Sequence, residues 1–168
     1  MTNIAKQTDN SETDAAAVQD RQQFVTFSLN GQYYCIDIMS VREIRMAQKI
    51  APVPGAADYV LGVINLRGSI IPVCDLRYRL GEGETNVCPK HPVVIVWVDG
   101  RLTGILVDEV LDIINVPRGD VQTIPDTEKN KRYPFFDVLI MKDETMLIVV
   151  DLECLFDANP MSKEIERV

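Results

Sequence analysis

Two dipeptides restrict this chain more than anything else in it. Asn30-Gly31 separates Phe24-Val25-Thr26-Phe27-Ser28-Leu29 from Gln32-Tyr33-Tyr34-Cys35-Ile36-Asp37-Ile38, and Asp99-Gly100 separates Val93–Val98 from Arg101–Val107. β-branched and aromatic runs flanking such a pair specify a hairpin, because Asn, Asp and Gly tolerate the positive φ of a two-residue type I′ turn. The likeness extends past the turns. At a shift of 69, Val25, Phe27, Leu29 and Gly31 fall on Val94, Val96, Val98 and Gly100, and Val41, Glu43 and Ile44 fall on Val110, Asp112 and Ile113. At a shift of 76, Val63–Leu76 lies over Leu139–Leu152, each ending in Asp-Leu. Each half therefore reads as a hairpin, a connector with a Pro-bearing turn, a second hairpin and Asp-Leu.

The expected architecture is two similar all-β halves, 22–86 and 92–157, built as small barrels or a sandwich. A half of about 65 residues is marginal as an independent core, so the halves should pack as one unit. Helix is scarce: Ala57–Leu61 offers one turn, and Pro160–Val168 a short tail helix. Residues 1–22, polar and without apolar period, read as a disordered lead-in to a domain at 23–157, followed by a tail at 158–168. Strand exchange between the halves is left open.

Composition removes several function classes. With 25 acidic against 17 basic residues the net charge is −8, which argues against nucleic acid or anionic lipid as partner. The one histidine, His91, lies in an expected loop, so His-based catalysis or a multi-His metal site would rest on a single ring. Cysteines 35, 74, 88 and 154 form no CxxC pair. Residues 1–20 do not resemble an export signal, and the run Val93–Val98 is far shorter than the ~18 residues of a membrane helix. The expectation is a reduced, cytosolic protein. Phosphate-loop, dinucleotide, nucleophile-elbow and zinc-helix motifs are absent from the sequence. Asp108, Glu109 and Asp112 read as a solvated strand end rather than a cation site, Trp97 as core, and Cys74 as a small buried hydrophobe. No catalytic residue, cofactor or metal is expected.

The turn Arg67-Gly68, inside Leu61–Arg77, projects a guanidinium from a rigid hairpin. Arginine suits bidentate contact with a partner's carboxylate and is enriched at interface hot spots. On the residues alone, that role and pairing within the chain stand equal.

The segment Asn65-Leu66-Arg67-Gly68, followed by Ile70-Ile71-Pro72-Val73-Cys74-Asp75-Leu76-Arg77 and preceded by Gly62-Val63, closely resembles the CheW family of chemotaxis coupling proteins. Ile36–Ile38 through Val41-Arg42-Glu43-Ile44 is similar to that family's strand leading to V-x-E-I, and Gly104–Val110 to its G-x-x-V-D-x-V segment. The resemblance covers about Phe24 to Phe156. It implies two five-stranded SH3-like barrels, and a non-enzymatic adaptor linking the cytoplasmic tips of methyl-accepting chemoreceptors to a CheA-type histidine kinase. A related adaptor in a pilus- or gliding-type system is the alternative. By the same resemblance Arg67, Gly62, Glu43, Val41, Val110 and Ile113 fall at positions of receptor or kinase coupling, and Arg67 and Glu43 are candidates to pair. Kinase docking is expected on apolar β edges. The chain departs from the family where Phe135-Phe136-Asp137-Val138 replaces a usual glycine after the bulky, basic Lys129–Pro134.

Overall fold

Four two-residue turns organise the chain, and in each both residues have positive φ: Asn30-Gly31 (49° and 78°), Arg67-Gly68 (50° and 88°), Asp99-Gly100 (48° and 74°) and Asp143-Glu144 (48° and 64°). This is the type I′ geometry that matches strand twist. The structure, a computed structural model, describes residues 20–47, 49–124, 135–136 and 138–157. The turns join β1 (Arg21–Leu29) to β2 (Gln32–Asp37), β4 (Val60–Leu66) to β5 (Ser69–Asp75), β6 (Pro92–Val98) to β7 (Arg101–Leu106), and β10 (Val138–Lys142) to β11 (Thr145–Val149). The connectors carry β3 (Val41–Met46), β8 (Glu109–Pro117) and a short β9 (Val121–Thr123). β1 begins within the stretch read as lead-in. Residues 1–19 of that lead-in, the Lys129–Pro134 stretch and the tail at 158–168 lie outside the described residues.

The strands form a six-stranded sheet, β8-β1-β2-β11-β10-β9, and a five-stranded sheet, β3-β6-β7-β5-β4. The all-β class is observed; the six-stranded sheet exceeds the expected five by β9. The sheets do not coincide with the halves of the sequence. The first hairpin, β1-β2, joins strands of the second half, while β6-β7 joins strands of the first. Each hairpin is therefore exchanged, β1 pairing with β8 and β6 with β3.

That exchange explains the apolar runs. Val25, Phe27, Leu29, Tyr34 and Ile36 of one hairpin meet Val94, Val96, Val98 and Ile105 of the other in a core shared by both sheets. The opposite faces of the same hairpins supply two smaller cores, with Phe24 and Cys35 in the six-stranded unit and Val93, Ile95 and Leu106 in the five-stranded unit. Strands buried on both faces need near-continuous hydrophobicity, and each fully buried Phe, Leu or Ile contributes about 1.5–3 kcal/mol.

Both Asp-Leu pairs open helices. α1 (Leu76–Arg79) is capped by Asp75, whose side chain accepts from Tyr78 N, and α2 (Leu152–Asp157) follows Asp151, which accepts from Cys154 N at 3.1 Å. A side-chain acceptor at this position satisfies an otherwise orphaned helix N–H. The one-turn helix expected at Ala57–Leu61 is instead a turn leading into β4. Phe135 is buried in the shared core and Phe136 packs half-buried against it, with ring centroids 4.8 Å apart.

Candidate partner-binding surface

Five-stranded closure places Arg67. β3 and β4 are opposite edges of the sheet, but the chain leaving β3 returns to β4 through an Ala51–Val63 bridge, with Ala51 N donating to Val63 O (2.9 Å) and Val63 N to Ala51 O (2.8 Å). Gly62 makes this approach sterically feasible. Its φ is +146°, and a Cβ there would lie 2.1 Å from Ala51 O and 2.9 Å from Pro52 Cα. Gly62 is buried, so any contribution to a partner surface runs through the backbone it lets close.

The turn beyond β4 is fixed by Gly68 N donating to Asn65 Oδ1 at 2.9 Å. From it Arg67 Nη1 reaches Glu43 Oε2 on β3 at 2.9 Å, while the Arg67 side chain stays 73% exposed. Glu43 also faces Arg45 Nε at 3.5 Å and is itself only 26% exposed. One carboxylate thus serves two guanidiniums, leaving a net positive site. An exposed ion pair of this kind is worth about 0–1 kcal/mol, so its effect is orientation rather than stability. Arg67 keeps donors for a second carboxylate while Glu43 holds its direction.

Val41 on β3 and Val110 on β8 both pack half-buried against the shared core, from different sheets. Ile113, paired with Val25 of that core, is 50% exposed. The six expected residues therefore divide. Arg67 and Glu43 touch, Gly62 lies in the strand leading to the Arg67 turn, Val41 and Val110 pack at the shared core, and Ile113 stands exposed on β8.

Other surface residues escaped the sequence reading. Arg45 is one. Ile44, Met46 and Leu111 are exposed apolar side chains on the same two strands. The alternation along β3, Val41-Glu43-Arg45 half-buried against Arg42-Ile44-Met46 exposed, was the available signal. Trp97 corrects an expectation: it is 45% exposed, not core. β3 pairs with β6 only as far as Val96, so its backbone pairing stops short of Trp97. A register slip at Arg42 instead sets that guanidinium 5.8 Å from the Trp97 ring centroid.

Chemistry elsewhere is subdued. Burial pushes the Cys35 and Cys74 thiols up to about 12, where neither is a nucleophile at neutral pH. Among the described residues no group of three or more His, Cys, Asp or Glu is placed to hold a metal ion. Asp108 Oδ2 accepts from Asn30 N at 2.7 Å, so that acid braces a turn. A cleft of about 320 Å³ opens beside Phe24, Asp37 and Asp151, and none of the six expected residues lines it. No helix among the described residues is long and apolar enough to cross a membrane.

The chain is similar to known proteins in sequence and in fold. The CheW-like domain family matches residues 23–159. The chemotaxis protein CheW of Rhizobium meliloti (strain 1021) is 35% identical, over 95% of this chain and 97% of that protein. Protein FrzA of Myxococcus xanthus is more distant, 26% identical over 66% of this chain and 69% of its own. Among solved structures, the scaffolding protein TtCheW from Thermoanaerobacter tengcongensis superposes with a TM-score of 0.75 at 31% identity, covering 82% of this chain and 94% of that one.

Proposed function

The chain belongs to the CheW-like domain family, and from that membership we propose that it is a non-catalytic scaffold coupling methyl-accepting chemoreceptors to a CheA-type histidine kinase in chemotaxis signalling. The observation that carries the reading is the exposed Arg67 guanidinium, steered by Glu43 in the unit whose seam with its neighbour exposes apolar side chains. A receptor tip is a bundle of helices. Apolar anchors along such a helix suit Val41, Val110 and Ile113, and a receptor carboxylate suits Arg67. The kinase docks on exposed strand edges, where unpaired backbone groups and side chains such as Leu111 are available. Control follows from differential contact: the receptor biases the kinase only as far as the scaffold binds its two states unequally. The protein then works in the cytoplasm, at membrane-associated arrays it reaches through its partners.

Co-sedimentation tests this. Receptor fragments and kinase should form a sedimenting ternary assembly with the protein and far less without it; equal assembly in its absence would overturn the coupling role. Similarity to FrzA, a protein not named for chemotaxis, favours as second reading an adaptor of the same kind in a pilus- or gliding-type system. Pull-down with kinases of both kinds of system separates the two.

A further inference from the structure

α1 is one turn long, yet its two arginines grip the other unit on different sides. Arg77 donates from Nη2 to Asn30 Oδ1 at 3.2 Å and from Nε to the Glu82 carbonyl at 3.4 Å. Asn30 is the turn of the exchanged β1-β2 hairpin, which belongs to the six-stranded sheet. Its Nδ2 donates to Glu82 Oε2 at 3.3 Å, and the Tyr34 hydroxyl of the same hairpin donates to Glu82 Oε1 at 3.4 Å. Arg79 reaches elsewhere. Its Nη2 donates to the Leu155 carbonyl of α2 at 3.2 Å, and its guanidinium lies 5.4 Å from the centroids of both Tyr59 and Phe135. Tyr59 leads into β4 of the five-stranded unit, whereas Phe135 and Leu155 pack in the shared core beside α2.

The other end of the same element is the Arg67 turn. β5 runs without interruption from that turn to Asp75, which is 3% exposed and holds Thr85 N and Oγ1 at 2.8 and 2.7 Å as well as capping α1. A strand pinned in this way moves with its helix. The seam it meets is not fully satisfied: Arg79 Nε and Asp108 Oδ1 are buried without a hydrogen-bond partner among the described residues. Each buried, unpartnered atom carries a desolvation cost at this seam.

We propose that Arg77 and Arg79 are positioning residues that set the two units relative to each other and carry a displacement at the Arg67 turn across the seam. The relay rests on the reading of Arg67 as a receptor contact. A partner's pull on the turn passes along β5 to α1, and the two guanidiniums impose it on the β1-β2 turn and on α2.

The test is a distance distribution between spin labels on the full chain, at Met46→Cys in the five-stranded unit and Met141→Cys in the six-stranded unit, with Cys88 and Cys154 changed to Ser. Variants are Arg77→Ala, Arg79→Lys and Asn30→Gly. The last keeps a turn that accepts positive φ while removing the side chain Arg77 grips, so it preserves the fold if the others do not. The relay requires that each folded variant broaden or shift the distribution. It also requires receptor control of the kinase to fall at least about threefold, with receptor-fragment affinity held within about twofold. An unchanged distribution in either Asn30→Gly or Arg79→Lys overturns it, as does parallel loss of affinity and control. If the unaltered protein binds no receptor fragment, the coupling function fails, while the label distances still decide whether α1 fixes the units.

Discussion

The Arg67 guanidinium lies 2.9 Å from the Glu43 carboxylate, joining a hairpin turn at one edge of the five-stranded sheet to the strand at its other edge. The pair is too exposed to hold the sheet closed. The Ala51–Val63 bridge beside Gly62 does that, leaving the ion pair to aim a cation.

Arg67→Glu should therefore weaken capture by receptor tips at least about tenfold while shifting stability by less than about 1 kcal/mol. Pairing it with Glu43→Arg restores the ion pair but moves the cation to the strand, and binding should stay weak. Pull-down and thermal unfolding on the same samples check both statements. Full binding by the double variant would mean that the pair, not the position of the cation, is what the partner requires.

Gly62→Ala should cost about 2–3 kcal/mol, because the new Cβ meets Ala51 O at 2.1 Å and the backbone sits at +146°. Urea unfolding measures it. A loss below about 0.5 kcal/mol would show that the Ala51 segment yields freely.

Ile95 and Trp97 are two residues apart on β6 but differ in environment, the first wholly buried and the second 45% exposed. Ile95→Ala should cost about 2–5 kcal/mol and Trp97→Ala about 1 kcal/mol or less. As the one tryptophan, Trp97 also reports on Arg42, and Arg42→Ala should alter its emission without unfolding the chain.

Alkaline pH should destabilise the fold in two stages. Burial raises Cys35 and Cys74 from 9.0 to about 12, and burial with the Glu82 charge raises Tyr34 from 10.0 to about 12. A raised pKa means the native state holds its proton longer than the unfolded state. Stability is thus complete below pH 9, falls as the unfolded thiols ionise, falls faster above 10 as the unfolded Tyr34 and the similarly burial-raised Tyr59 join them, and levels off near 12. Urea midpoints from pH 8 to 12 follow this. In Cys35→Ala/Cys74→Ala the onset should move up toward pH 10; an unmoved onset would assign the decline to other groups.

Much of the fold was legible because turn chemistry is local. Asn-Gly and Asp-Gly fix their own dihedrals, and the duplicated spacing put similar strands in the same order along both halves. Arg67 and Glu43 were legible as a pair only through the family resemblance, since no spacing rule relates residues 43 and 67. The helices at Leu76 and Leu152 were missed although their capping Asp residues stood in view, because four to six residues carry too little periodicity to register. Trp97 was misjudged because alternation gives a residue's face, not whether a neighbouring strand extends far enough to cover it.

By itself the sequence determined the Asn30-Gly31 and Asp99-Gly100 hairpins with their turn type, the apolar runs and a repeat that makes the halves alike. Tertiary structure alone decided which hairpin completes which sheet. A period of two states which side chains share a face, and Val25-Phe27-Leu29 of β1 and Val94-Val96-Val98 of β6 present matching apolar faces, so local pattern does not say which half each hairpin completes. The exchange, the shared core it creates and the grip of α1 on the opposite unit depend on contacts between residues tens of positions apart, and those are fixed only when the whole core packs.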